Sequence, residues 1–350
     1  MTIDITGRDQ WQAWQDGVLP AVERVRDGVW SIPVPIPDNP LRYVLVYALE
    51  CRDGVALIDA GWDDDNSWRA LVDGLGAAGF GIGDVRAVMV THFHADHLGL
   101  AGRVREASGA WVALHTLDAR RRMPLGETGR IAAEVRTHLV RNGVPPAMAR
   151  TIVRDTPFEK FARQPRVDVL LEDEETVRLN GLDLTVVWTP GHSPGHSCFY
   201  EPSRQLLFSG DHILPRITPH IAVYHQNDGN PLEVFLRSLD RLERYDVDEV
   251  LPAHEYRFRG LSGRLSDIAR HHTRRLAELY DAARRAPGST AWRLCAMLSW
   301  SRPWGEFDLM NKRFALAETL AHLAVLQSRR EVRTSPGDGP VRWYPSTVSG

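Results

Sequence analysis

Lysine is nearly missing from this 350-residue chain: only Lys160 and Lys312 occur, while arginine is abundant. That imbalance carries no mechanistic meaning by itself. Cysteine is scarcer in a more informative way. Cys51, Cys198 and Cys295 are odd in number, widely spaced and form no C-x-x-C pair. This excludes a disulfide framework and a thiolate metal site, and it fits three inert buried thiols in a reducing compartment. No apolar run approaches the roughly 18 residues that span a bilayer, so no transmembrane helix and no membrane partner are expected. Met1 to Gln10 is polar and lacks a basic-then-apolar signal pattern, which makes the cytoplasm the expected location. There is no Gly-x-Ser-x-Gly elbow, and so no sign of a serine nucleophile on a strand-to-helix turn.

What is present is the composition of a globular protein. The net charge of −3 hides an asymmetry. The chain is acidic on balance up to Glu255, whereas from Arg257 onward basic residues outnumber acidic ones about two to one. The excess permits an anionic partner for the C-terminal part, although arginines solvating helix faces explain it more simply.

Strand-like segments fall at Val29–Ile32, Tyr43–Leu49, Val55–Ile58, Ala87–Val90, Trp111–Leu114, Leu182–Trp188, Cys198–Tyr200, Leu206–Phe208 and Glu249–Leu251. Helical patterns at Trp68–Gly79, Leu100–Ser108, Ile131–Asn142 and Leu232–Tyr245 alternate with several of them. This mixture predicts an α/β chain whose sheets are covered by helices. Val55 to Gly61 and Leu206 to Asp211 echo one another, since each ends an apolar strand in a small-residue turn carrying an aspartate. The echo hints at two related halves. The stretch from about 115 to 167 reads as an arginine-rich helical insertion that caps or lines a site. Residues 1–260 then form one domain. Residues 261–350 form a second, with helices at Leu261–Arg285, near Ala291–Ser299 and near Phe314–Ser328, then Glu331–Thr334 and Val341–Tyr344 around a turn. Helix, helix, ribbon is the order of a winged-helix-like module.

The chemistry concentrates in Thr91-His-Phe-His-Ala-Asp-His-Leu-Gly99, between an apolar strand and a helical pattern. Side chains alternate along an extended strand end, so His92 and His94 project the same way and can share a metal. Asp96 and His97 follow the turn into the helix and can face a second one. Imidazole and carboxylate donors suit zinc, with iron and manganese as alternatives. His192 in Thr189-Pro-Gly-His, Asp211 in Ser209-Gly-Asp and His254 in Leu251-Pro-Ala-His each follow a strand. Residues at successive strand ends converge on one sheet edge, the usual address of an α/β active site.

With these motifs, from Asp59 in Leu57-Ile-Asp-Ala-Gly61 to His254, the chain resembles the metallo-β-lactamase superfamily over about Val29 to Glu255, and its glyoxalase II-like hydrolases most. The resemblance implies a four-layer αβ/βα sandwich. It implies two zinc ions per chain, one held by His92, His94 and His192 and one by Asp96, His97 and His254, with Asp211 bridging. Asp59 would orient a ligand imidazole, and His196 and His212 would support the site without binding metal. The expected reaction is hydrolysis of a small acyl substrate, a thioester or lactone, by a metal-bridging hydroxide. Asp96, the catalytic residue, orients the nucleophile or handles its proton. His220, Tyr224, His225 and Asn227 are candidate substrate contacts. A lactamase-like endoribonuclease and an iron-dependent sulfur dioxygenase are the alternatives. Nucleic acid is not the favoured partner, and a homo-oligomer is compatible with the sequence.

Overall fold

The computed structural model describes residues 3–121, 127–156, 165–224, 229–335, 337 and 339–346. The chain divides into two compact units. One comprises Met1–Arg122, Gln164–Pro219 and Ser238–Asp267, the other Met123–Arg163, His220–Arg237 and Ile268–Gly350. Among the described residues no helix is long and apolar enough to cross a membrane.

The first unit is built on two seven-stranded sheets. A two-residue strand, β1 (Asp4–Ile5), opens the chain and belongs to the second of them. The first sheet takes β2 (Glu23–Arg26), β3 (Val29–Pro35), β4 (Tyr43–Cys51), β5 (Gly54–Ile58), β6 (Val85–Met89), β7 (Trp111–His115) and β8 (Val169–Leu171) in chain order. It is antiparallel from β2 to β5 and parallel from β5 to β8. The second sheet takes β9 (Thr176–Leu179), β10 (Leu182–Trp188), β11 (Ser197–Glu201), β12 (Leu206–Gly210), β13 (Glu249–Pro252) and β14 (Phe258–Arg259), with β1 on the far edge. Here too antiparallel strands lead to one parallel pair, β12 with β13. The strand β5 therefore has its counterpart in β12. The echo seen in the sequence marks the same place in both sheets, the start of the parallel pairing.

Strand β4 explains why the apolar segments are so continuous. Tyr43, Leu45, Tyr47 and Leu49 enter a core that also holds Leu184, Val186, Phe199, Phe208 and Leu251 of the second sheet. The alternate residues Val44, Val46 and Ala48 join Leu71, Leu75, Ala101 and Val104, which come from the helices Asp65–Ala77 and Ala101–Ser108. Both faces are dry, so period-two alternation selects between two cores rather than between core and water. The sheets hold their own register through this core. Tyr47 packs edge-on to Phe208 with centroids 5.3 Å apart, and its hydroxyl donates to the Pro252 carbonyl at 2.8 Å.

The second unit is mainly helical, with Thr128–Arg141, Pro146–Arg154, Ala291–Cys295 and Leu309–Ser328 as complete helices and the larger part of Leu261–Arg285. A ribbon of β15 (Val332–Thr334) and β16 (Trp343–Pro345) closes it. Two expected boundaries shift. The last long helix begins at Leu309, not near Phe314, because the Asp308 carboxylate accepts from the Asn311 amide at 2.7 Å and caps it. The helix expected to reach Ser299 stops at Cys295, and the Ser299 amide instead donates to Glu278 at 2.6 Å.

Candidate metal centre

Each candidate donor sits just past a strand end. His92 and His94 follow β6, and Asp96 and His97 occupy the short helix Ala95–Leu98. His192, Asp211 and His254 follow β10, β12 and β13. The fold brings all seven together in the first unit. His92 Nε2, His94 Nδ1 and His192 Nε2 form a triangle with edges of 2.8, 3.0 and 3.2 Å. Tetrahedral donors at about 2.0–2.1 Å from zinc would stand roughly 3.3 Å apart, so the triangle is close to that size. A second group gathers Asp96, His97 and His254. Asp96 Oδ2 lies 3.7 Å from His97 Nε2 and 3.5 Å from His254 Nε2. Asp211 stands between the groups. Its Oδ2 is 3.4 Å from His192 Nε2, while Oδ1 is 3.5 Å from His97 Nε2 and 3.2 Å from His254 Nε2.

These contacts are not an ordinary polar network. His97 Nε2, His254 Nε2 and Asp211 Oδ1 are buried and make no well-formed hydrogen bond among the described residues. Orphaned buried polar atoms are costly. Here three of them face one another, and a cation would satisfy all three. The donor set of nitrogen and carboxylate oxygen fits such an ion.

The electrostatics lead to the same place. Burial would lower the basicity of His97, but Asp59, Asp96 and Asp211 outweigh it and raise its pKa to about 10. His254 is likewise raised, burial being overcome by Asp211 and Asp96. His92 has burial and neighbouring imidazoles against it and falls well below the usual range. In one half of the site protons stand where a cation would balance the carboxylates, since metal binding displaces protons. In the other, the His92 imidazole is held neutral by burial and by its neighbouring rings.

The far sides of the rings are held. His254 Nδ1 donates to the Tyr43 carbonyl at 2.8 Å, which leaves Nε2 to face the site. Leu45 N donates to Ala253 O at 2.7 Å, and Tyr43 Oη to Glu255 O at 2.8 Å, so strand β4 fixes the whole His254 loop. Asp59 accepts from His97 Nδ1 at 2.8 Å and from the Thr91 amide at 2.8 Å, which is the orienting part expected of it. It does so in a left-handed backbone conformation, φ 62°. The Asp211 amide donates to His196 Nε2 at 3.2 Å, so the proton of that ring is on Nδ1, which faces Thr189 Oγ1 at 2.8 Å. His196 thus supports Asp211 from behind, and His212 packs against it with centroids 5.6 Å apart. Only glycine fits at 210: φ is 50°, and a Cβ there would lie 2.7 Å from His196 Nε2 and 2.8 Å from Thr91.

One residue of this centre was not foreseen. Asp118 is fully buried at the start of the short helix after β7. It accepts from Ser193 Oγ at 2.6 Å, Gly195 N at 2.6 Å and Phe93 N at 3.2 Å. One carboxylate therefore ties the loop carrying His92 and His94 to the loop carrying His192. Removing it in Asp118→Ala should weaken metal binding at that triad by about 10–100-fold, as measured by chelator competition. Unchanged affinity would show that the loops hold their places without it. Nothing in the local sequence marks Asp118, because two of its three partners are backbone amides.

His220 and Tyr224 lie in the second unit, with His220 Nε2 2.9 Å from Tyr224 Oη. His225 and Asn227 fall outside the described residues. The three cysteines are free and buried, as expected. Burial pushes the thiols of Cys198 and Cys295 up to about 12. None of the three should react with a chromogenic disulfide reagent at about pH 8 until the chain is unfolded. Fast labelling of a native thiol would contradict that packing.

A family model described as the metallo-beta-lactamase superfamily matches residues 39–254, which include every donor named above. The "probable metallo-hydrolase YqjP" of Bacillus subtilis (strain 168) is 25% identical over 332 residues, 91% of this chain and 98% of its own length. The crystal structure of a metallo-beta-lactamase family protein from Thermus thermophilus is 30% identical and superposes with a TM-score of 0.76, covering 92% of this chain and 100% of that one. A human acyl-coenzyme A thioesterase is 31% identical over 111 residues, 29% of this chain and 35% of its own.

Proposed function

Because the chain belongs to the metallo-β-lactamase superfamily of metal-dependent hydrolases, we propose that it holds two zinc ions and hydrolyses small acyl compounds, thioesters and lactones foremost. The observation that carries this reading is the pair of donor triads on either side of Asp211, with the buried His97 Nε2, His254 Nε2 and Asp211 Oδ1 left without a hydrogen-bond partner among the described residues. His92, His94 and His192 would hold one ion, and Asp96, His97 and His254 the other, with one oxygen of Asp211 toward each. The bound ions supply Lewis acidity and a water whose pKa falls to about 7.

The remaining work belongs to the chain. Asp96 is the more exposed of the two central carboxylates, its side chain 15% accessible against 10% for Asp211. It is the group placed to orient an incoming water and to hold its proton at a carboxylate oxygen. Asp59, Thr91, His196 and the carbonyl of Tyr43 keep the imidazoles and Asp211 from turning away. Asp118 keeps two of the loops together. No serine or cysteine nucleophile is needed, and the buried Cys198 thiol, raised to about 12, is unsuited to be one.

The thioesterase relative supports an acyl thioester as the substrate class. The test is a panel of acyl thioesters, lactones, β-lactams and single-stranded RNA offered to the zinc-loaded protein. Turnover of a thioester or lactone is expected. Cleavage of RNA alone, or of none of these, would overturn the proposal.

A further inference from the structure

Glu255 directly follows the donor His254 and is itself no donor, yet its side chain is wholly buried. Its backbone is left-handed, φ 71°, a conformation that strains a residue with a Cβ and persists only where the surroundings enforce it. The carboxylate accepts three hydrogen bonds from one residue, Arg216: from the amide at 3.2 Å, from Nε at 3.1 Å and from Nη2 at 2.9 Å. Arg216 stands five positions beyond Asp211, in a stretch (211–219) that contains no helix or strand. Side chains hold that stretch in place. Ser209 Oγ donates to the Ile213 carbonyl at 2.8 Å, and Arg264 donates from Nε to Leu214 O at 2.7 Å and from Nη2 to Ile217 O at 2.6 Å. Glu255 fixes the Arg216 position between them.

An ion pair with a buried carboxylate adds little stability by itself, because taking the charge out of water offsets the attraction. What this pair does is join two loops, the one that leaves β12 with Asp211 and the one that leaves β13 with His254. The sheet joins these chains as far as the bond from Ala253 N to Gly210 O, 3.0 Å. Beyond that bond the Glu255–Arg216 pair continues the join, so Asp211 and His254 lie between two ties, with Oδ1 and Nε2 3.2 Å apart. The Arg216 guanidinium also lies over the Trp14 ring, 5.7 Å from its centroid, and Trp14 packs edge-on to Tyr43, whose carbonyl holds His254 Nδ1. We propose that Glu255 and Arg216 form a positioning clasp for the ion of Asp96, His97 and His254, a role that rests on the two-ion reading. Asp118 is its parallel at the other triad, a buried carboxylate that ties two donor loops and binds no ion. Each ion has its own clasp, so the two can be weakened one at a time.

The experiment is titration of zinc into the metal-stripped full chain against a competing chelator. It compares the wild type with Glu255→Gln, Arg216→Gln, both together, and Arg26→Gln as a control. Arg26 pairs with another buried carboxylate, Glu249, at 2.7 Å, so its loss disturbs a similar ion pair away from the clasp. Melting temperatures check that the variants remain folded; if Glu255→Gln does not, Arg216→Gln at its half-exposed position carries the same prediction. The wild type and the control should take up two ions with the same affinities. Each clasp variant should hold one ion as before and the other about 10–100-fold more weakly. The double variant should be no worse than either single, because all three remove the same contact. Two ions held at wild-type affinity by the single variants would overturn the clasp and leave the two-ion reading standing. So would equal weakening of both ions, or single losses that add in full. A wild type that takes up fewer than two ions would overturn the two-ion reading, and the clasp with it.

Discussion

Asp96→Ala is expected to lower kcat on an acyl substrate by about 10²–10⁴-fold, the usual worth of a positioned proton acceptor. Asp96 stands in the first turn of the helix Ala95–Leu98, and its Oδ2 faces both His97 Nε2 and His254 Nε2. The substitution removes the more accessible of the two carboxylates that face these ring nitrogens. Asp96→Asn keeps the shape and loses the charge, so it should fall nearly as far if proton handling is the main contribution. A near-normal rate in either variant would remove Asp96 from the mechanism.

Asp211→Ala should have the other large effect, on metal content. Asp211 lies within 3.5 Å of ring nitrogens in both triads, His192 in one and His97 and His254 in the other. Its loss also leaves His97 and His254 with less negative charge nearby, although Asp59 and Asp96 remain. At least one ion should be lost, with an affinity decrease of about 100-fold or more, since even outer partners of a metal site are worth 10–100-fold. Elemental analysis after dialysis against a weak chelator measures this. Two ions retained at the wild-type affinity would mean that Asp211 bridges nothing.

Much of this was legible in the sequence, and the reason is physical. Strands largely buried on both faces are mostly apolar, so β3 to β7 and β10 to β13 stood out as runs, even where one polar residue such as Arg86 or Asp183 interrupts them. The candidate donors stand in short His-, Asp-, Gly- and Pro-bearing turns after strands, so His92 to His97, His192, Asp211 and His254 could be picked out as candidates from type and position, while their division between two ions came from the family resemblance. The similarity of Val55–Gly61 to Leu206–Asp211 turned out to have a topological basis. Both stretches leave the strand that begins the parallel pairing of its sheet. The two aspartates have diverged in use: Asp59 turns back to a ring nitrogen of His97, and Asp211 faces the site itself.

What was not legible depends on contacts that sequence does not carry. The edge strands β1, β2, β8 and β9, and β14 beside β1, have two to four residues each, too few to establish a period. The helix Arg8–Asp16 buries only Gln10, Ala13 and Trp14 and otherwise looks like polar chain. Asp118 acts on amides of two loops that meet only in the fold. The His254 loop is held by β4 through hydrogen bonds that are mostly backbone to backbone or end on backbone carbonyls, and these leave no trace in residue type. The grouping of the segment Met123–Arg163 with the C-terminal helices rests on similar contacts, such as Trp292 N to Asn142 O at 3.0 Å and Val341 N to Arg141 O at 2.8 Å.

The measurement that bears most directly on the account is the initial rate of thioester hydrolysis while zinc is titrated into metal-stripped protein. Two triads sharing Asp211 predict a rate that climbs with added zinc and levels off at two equivalents per chain. A rate that saturates at one equivalent, or that does not depend on zinc at all, would contradict the binuclear hydrolase.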